Sequence, residues 1–137
     1  MAEEAQIRQA AIVELLSEAR RNPQQECCGF LAGRDGVMTT VLPAVNALES
    51  ATQFEIAPAE LFRLVREMRA HKLEHLGIYH SHPTGENVPS ARDIERAFYP
   101  ETAYFILSPG EDTPRPLRAF SIHDGRVSEI AIEVVNP

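Results

Sequence analysis

Residues 79 to 93, YHSHPTGENVPSARD, gather side chains whose types and spacing can do chemistry. His80 and His82 follow an apolar run, and on a strand residues two apart point to one face, leaving Ser81 on the other. Two imidazoles at that spacing can ligate one ion at zinc–nitrogen distances of about 2.0–2.1 Å. A third ligand has to arrive from a returning loop, and Asp93, eleven residues after His82, is the nearest candidate. Two histidines and one carboxylate leave a tetrahedral position open for water, the arrangement of a catalytic zinc.

Each half of the pattern also has an ordinary explanation. Ser-Ala-Arg-Asp after a proline is a helix start, with Ser90 as N-cap and Asp93 three residues on. A His-x-His pair on a strand can be no more than a hydrogen-bonded pair. Their conjunction at this distance is expected by chance in about one chain of this length in several thousand. The two readings are compatible. A carboxylate in a first helical turn is held rigidly, and the helix dipole there favours its ionised form.

Two rival metal patterns are weaker. Cys27 and Cys28 are adjacent, whereas closed cysteine–histidine zinc sites space their cysteines by two to four residues, so both thiols read as small packing groups. The stretch H71KLEH75 spells His-x-x-Glu-His, a helical zinc-peptidase motif. It falls in the last turn before Gly77, where histidine commonly meets a helix C-terminus, and no downstream carboxylate motif accompanies it.

The elements that must position these residues follow from periodicity. Residues 5 to 21 read as a helix, ECCGFLAGR as a buried strand, and RDG as a turn into VMTTVLPAV. QFEI reads as a short strand. Pro58 opens a helix whose apolar stripe is Leu61, Leu64, Val65 and Met68, with Gly77 just past its end. LGIYHSH is the next strand, PTGENVP a tight loop, and Ser90 to about Phe98 a short helix. AYFILS, LRAFSI and RVSEIAIEVV close the chain as strands, the last two joined by HDG. The sum is an α+β domain spanning 1–137, with about three helices and six or more strands.

The whole chain limits the function classes. Its 137 residues suit one domain with one core. A net charge of −7 argues against nucleic acid or an anionic membrane as partner. No apolar run approaches the roughly 20 residues of a membrane span. The start MAEEAQIRQAAIVELL is acidic before it is apolar, unlike a secretory signal, and two adjacent cysteines fit a reducing compartment. The expected location is the cytoplasm.

With these residues in view, the sequence resembles the JAMM (MPN+) metalloproteases. H80-S-H82-P-T-G-E-N-V-P-S90-A-R-D93 reproduces their His-x-His, seven residues, Ser-x-x-Asp signature without a departure. PQQE26CCGFLAG has the form of their upstream glutamate strand, and LPAVN, QFEIAPAEL, YFILS and LRAFSI follow in the family's order. The resemblance implies a single-domain α+β fold, a curved mixed β-sheet flanked by about three helices and related to cytidine deaminases. It also implies Zn²⁺ held by His80, His82 and Asp93, with Glu26 as the base that takes a proton from water and passes it to the leaving amine. Ser90 would hydrogen-bond the oxyanion, where a well-placed donor is worth about 3 kcal/mol. The implied substrate is a peptide or isopeptide bond after the tail of a ubiquitin-like or sulfur-carrier protein ending in Gly-Gly. That tail would add as a strand at a sheet edge beside the zinc. The alternative is a non-catalytic binding module of the same fold for a ubiquitin-like partner.

Overall fold

A computed structural model describes residues 4–110 and 112–136. Seven strands and three helices run in the order β1 (Glu4–Arg8), α1 (Gln9–Arg21), β2 (Cys28–Arg34), β3 (Val37–Ala44), α2 (Pro58–Ala70), β4 (Glu74–Ser81), α3 (Ala91–Glu95), β5 (Ala103–Leu107), β6 (Leu117–His123) and β7 (Arg126–Val135). Among the described residues no helix is long and apolar enough to cross a membrane. The leader reading rests in part on residues 1 to 3, which lie outside the described residues.

The strands form one mixed sheet in the order β1-β3-β2-β4-β5-β6-β7, with β7 returning to β1, so the expected curvature runs to closure. β4 and β5 are parallel, as are β1 and its neighbours β3 and β7, and the remaining pairs are antiparallel. Alternation along each strand divides the apolar residues between two cores. Leu31, Tyr79, Phe105 and Leu107 pack with Ala11, Leu15 and Ala19 of α1. Phe30, Ile78, Ile106 and Ile122 pack with Leu64 and Met68 of α2.

Three element expectations need correction. The helix expected from residue 5 begins at Gln9, because Ala5 and Ile7 are buried at a spacing of two within a strand that pairs with β7. QFEI is not a strand. Its Glu55 N–H donates to Asn46 Oδ1 at 3.2 Å and its carbonyl accepts from Ala47 N–H at 2.9 Å, so one buried asparagine shapes the segment. α2 stops at Ala70 rather than near Gly77, which lies inside β4. Lys72 takes φ of 55°, Lys72 N–H bonds Arg69 O, and Leu73 N–H bonds Met68 O at 2.8 Å. That is a Schellman ending with lysine in the position glycine usually fills.

Candidate metal centre

The C-terminal end of β4 is held from both sides. Cys28 of β2 pairs with His80, and the ladder continues through Ser81 N–H to Cys27 O at 3.0 Å. On the other side His80 pairs with Ile106 of β5, and His82 N–H donates to Leu107 O at 2.8 Å. Ser81 turns to the opposite face, where its Oγ accepts from Cys27 N–H at 2.9 Å. Close approach is possible behind the site because Gly29 has no Cβ. One added there would stand 2.4 Å from Leu42 O and 2.6 Å from the Tyr79 hydroxyl.

The loop from Pro83 to Pro89 turns at Gly85, whose φ is 85°, and returns the chain to the strand end. Asn87, buried, fixes it by donating to Ile106 O at 3.3 Å and Arg115 O at 2.8 Å. α3 then starts with a reciprocal cap. Asp93 N–H donates to Ser90 Oγ at 3.1 Å, and Ser90 N–H donates to Asp93 Oδ2 at 2.9 Å. Such a cap contributes about 1 kcal/mol.

These elements bring the three expected ligands together. His80 Nε2, His82 Nε2 and Asp93 Oδ2 stand 3.1 Å apart along all three sides. Ligand atoms held tetrahedrally at about 2.0–2.1 Å from zinc are about 3.3–3.4 Å from one another, so the triangle needs to open only slightly. Its donors suit a cation for a second reason. The second nitrogen of His82, Nδ1, faces Glu86 O at 2.8 Å, which places the ring proton there and leaves Nε2 with a lone pair aimed into the triangle. Electron pairs crowded at 3.1 Å repel unless a positive charge lies among them.

The titration directions are those of the group with a proton, rather than a metal ion, shared among these atoms. Burial pushes Asp93 up, but the hydrogen bonds from His80 and His82 and the Ser90 N–H outweigh it, leaving its carboxyl well below the usual range. Burial depresses His80. Burial also pushes His82 down, but its contacts with Asp93 and the Glu86 carbonyl and the nearby carboxylate charges raise it overall.

Glu26 lies two residues before β2 rather than within a strand, with its N–H bonded to Ser50 O at 2.7 Å. Continuing the β2–β4 register places it opposite His82. It is 3 % exposed, and its Oε1 has no hydrogen-bond partner among the described residues. Burial pushes its carboxyl up to about 7, against the opposing pull of His82 and Arg92, while Asp93 adds to the rise. A buried, unpartnered carboxyl titrating near neutrality beside a ligand triangle is suited to exchanging a proton there.

Neither rival pattern survives. Cys28 shares the His80 ladder position, yet burial pushes its thiol up to about 12 and its Sγ is directed at Ala44 O, 3.8 Å away. Among the described residues, the group of side chains within reach of one ion is His80, His82 and Asp93. His71 caps α2 whereas His75 lies in β4, stacked on Phe30 with ring centroids 4.0 Å apart. Sequence reasoning missed Asn46 and Asn87, which brace the flanking loops, and Phe54, whose ring stacks on His80 at 4.6 Å. Asparagines within LPAVN and PTGENVP resemble ordinary turn residues, so only their burial separates them.

Known proteins place the chain. The family described as prokaryotic homologs of the JAB domain matches residues 8–123. The CysO-cysteine peptidase of Mycobacterium tuberculosis is 32% identical over 131 residues, 94% of this chain and 90% of that one. The desampylase of Haloferax volcanii is 37% identical over 102 residues, 69% of this chain and 73% of the other. The solution structure of DSY2949 from Desulfitobacterium hafniense superposes with a TM-score of 0.86 at 32% identity, covering 96% of this chain and 93% of that chain. At 14% identity, AF2198 of Archaeoglobus fulgidus, a JAB1/MPN domain protein, shares the fold with a TM-score of 0.63 over 96% of this chain and all of that one. The chain therefore belongs to the prokaryotic homologs of the JAB domain and is a hydrolytic peptidase.

Proposed function

We propose that this peptidase is a zinc enzyme that hydrolyses the bond after the Gly-Gly tail of a ubiquitin-like or sulfur-carrier protein, and that it works in the cytoplasm. The observation that carries the reading is the 3.1 Å triangle of His80, His82 and Asp93 with a buried, unpartnered Glu26 beside it. His80, His82 and Asp93 would hold the ion. Zinc supplies Lewis acidity, lowering the pKa of a water toward about 7 and polarising a carbonyl.

The chain's own residues do the rest. Glu26 accepts a proton from water as the water oxygen adds to the scissile carbonyl carbon. Ser90 Oγ already accepts the Asp93 N–H, so its hydroxyl hydrogen remains to donate to the carbonyl oxygen as charge builds there. As the C–N bond breaks, Glu26 returns its proton to the leaving amine, and the tail departs as a carboxylate. Relatives named as a CysO-cysteine peptidase, a desampylase and a probable TtuB-protein conjugate cleaving protease support a substrate of this class.

The strands that flank the site offer the tail no open sheet edge. β2, β4 and β5, which flank the site, are each paired on both sides, so no open edge adjoins it among the described residues. Incubating the zinc-loaded protein with ubiquitin-fold carriers bearing C-terminal extensions, followed by mass spectrometry, tests the reading. Cleavage directly after Gly-Gly by the wild type, lost in Glu26→Gln with zinc retained, is expected. Cleavage by Glu26→Gln at the wild-type rate overturns the assignment of the base. Zinc binding without cleavage of any carrier favours a binding module.

A further inference from the structure

Glu26 lies beyond the last paired position of β2, and among the described residues its Oε1 meets no hydrogen-bond partner. The carboxyl therefore takes its aim from the main chain that carries it. Both polar groups of that main-chain residue are held by one loop. Glu26 N–H donates to Ser50 O at 2.7 Å, and Glu26 O accepts from Asn46 Nδ2 at 3.2 Å. Asn46 is 6 % exposed, and its amide also spans the loop. Nδ2 donates to Gln53 O at 2.9 Å and reaches Ser50 O at 3.5 Å. Oδ1 accepts from Leu48 N–H at 3.0 Å and from Glu55 N–H at 3.2 Å. The amide hydrogens and both oxygen lone pairs are thus engaged, and every partner is main chain.

The bonds to Gln53 and Glu55 bracket Phe54, whose ring stacks on His80 with centroids 4.6 Å apart. Phe54 and Glu55 go on to line an apolar cavity of about 160 Å³ that Arg92 and Asp93 also border. A brace for the loop alone would need only the bonds to residues 48 to 55. The bond to Glu26 O, twenty residues away in the chain, ties the loop to the buried carboxyl as well. We propose that Asn46 is a positioning residue of the site: its amide fixes where Glu26 stands against the ligand triangle and seats Phe54 on His80. This rests on the reading of Glu26 as the base and adds the residue through which that base is placed.

Two measurements test it. In the first, zinc-loaded wild type, Asn46→Ala and Asn46→Asp act on a ubiquitin-fold carrier extended beyond Gly-Gly. The aspartate variant still accepts from Leu48 and Glu55 N–H but offers no amide hydrogen to Glu26 O. Misplacing a reacting group by about 1 Å can cost about 100-fold, so kcat should fall about that much in both variants. KM should stay within about twofold, and zinc content should be unchanged. On a Glu26→Asp background, where the carboxyl is already out of place, Asn46→Ala should cost less than about threefold more. In the second, the Glu26 carboxyl carbon of the zinc-free protein is titrated by NMR. Its midpoint should move from about 7 in wild type toward the ordinary 4.5 in Asn46→Ala, as the carboxyl leaves its buried position. Wild-type kcat in Asn46→Asp, equal losses on the two Glu26 backgrounds, or a Glu26 midpoint unmoved in Asn46→Ala overturns the assignment while carrier cleavage stands. So does a loss of zinc that accounts for the lost activity. If the wild type cleaves no carrier, the substrate reading falls, and the zinc-free titration alone decides whether Asn46 places Glu26.

Discussion

Asp93 serves several partners through one carboxylate. Its Oδ2 accepts the Ser90 N–H that closes the cap and faces both imidazoles, while its own N–H is held by Ser90 Oγ. Ser90→Ala should therefore lose both cap and donor. We expect kcat to fall about 100-fold and stability by about 1 kcal/mol, with Ser90→Thr restoring most of the stability; steady-state kinetics and urea titration check this. Glu26 gives a pH signature in the zinc-free protein. Its carboxyl is raised in the fold, so the neutral form is favoured. Its contribution to stability is present below about 4.5, the ordinary value, and is lost as pH rises through about 7. Melting in chelator at pH 4.5 and pH 8 should show wild type losing stability relative to Glu26→Gln across that interval. Parallel profiles would contradict the burial argument.

At the scale of elements, the grouping of His80, His82 and Asp93 depends on how tightly β2 lies against β4. The Tyr79 ring packs over Gly29, and its hydroxyl donates to Glu18 Oε1 of α1 at 2.5 Å, anchoring the strand behind His80. Gly29→Ala should force that ring and the Leu42 carbonyl aside, costing about 1–3 kcal/mol and weakening zinc binding; a midpoint and zinc affinity equal to wild type would contradict this. What the sequence made legible follows the same physics. The strand end, the loop and the cap are local patterns, so residues 80, 82, 90 and 93 could be placed from spacing. The start of α1 was not, because Ala5 and Ile7 fit a helical stripe and only their pairing with β7 makes them strand. The end of α2 was missed because Lys72 takes the left-handed position that Gly77 was expected to supply. The bond from Asn46 to Glu26, the bonds of Asn87 and the cavity of Arg92 depend on residues distant in sequence, which no short window of the chain brings together.

At the scale of the whole molecule, the closed sheet places the site where three strands, two braced loops and a short helix meet. Ion binding should therefore stabilise the entire fold rather than one loop. With free zinc at about 1,000 times its dissociation constant the gain is about 4 kcal/mol, which raises the melting midpoint by roughly 10–15 °C. A midpoint unchanged by chelator would show that the ion is not linked to folding. The most direct test of the central claim, that His80, His82 and Asp93 hold one catalytic cation, is the zinc content of wild type and Asp93→Asn after equilibration with equimolar zinc. The account predicts about one zinc per wild-type chain and a large loss in the variant, with folding intact by circular dichroism. A folded wild type that retains no zinc, or a variant that binds it as tightly, would contradict it.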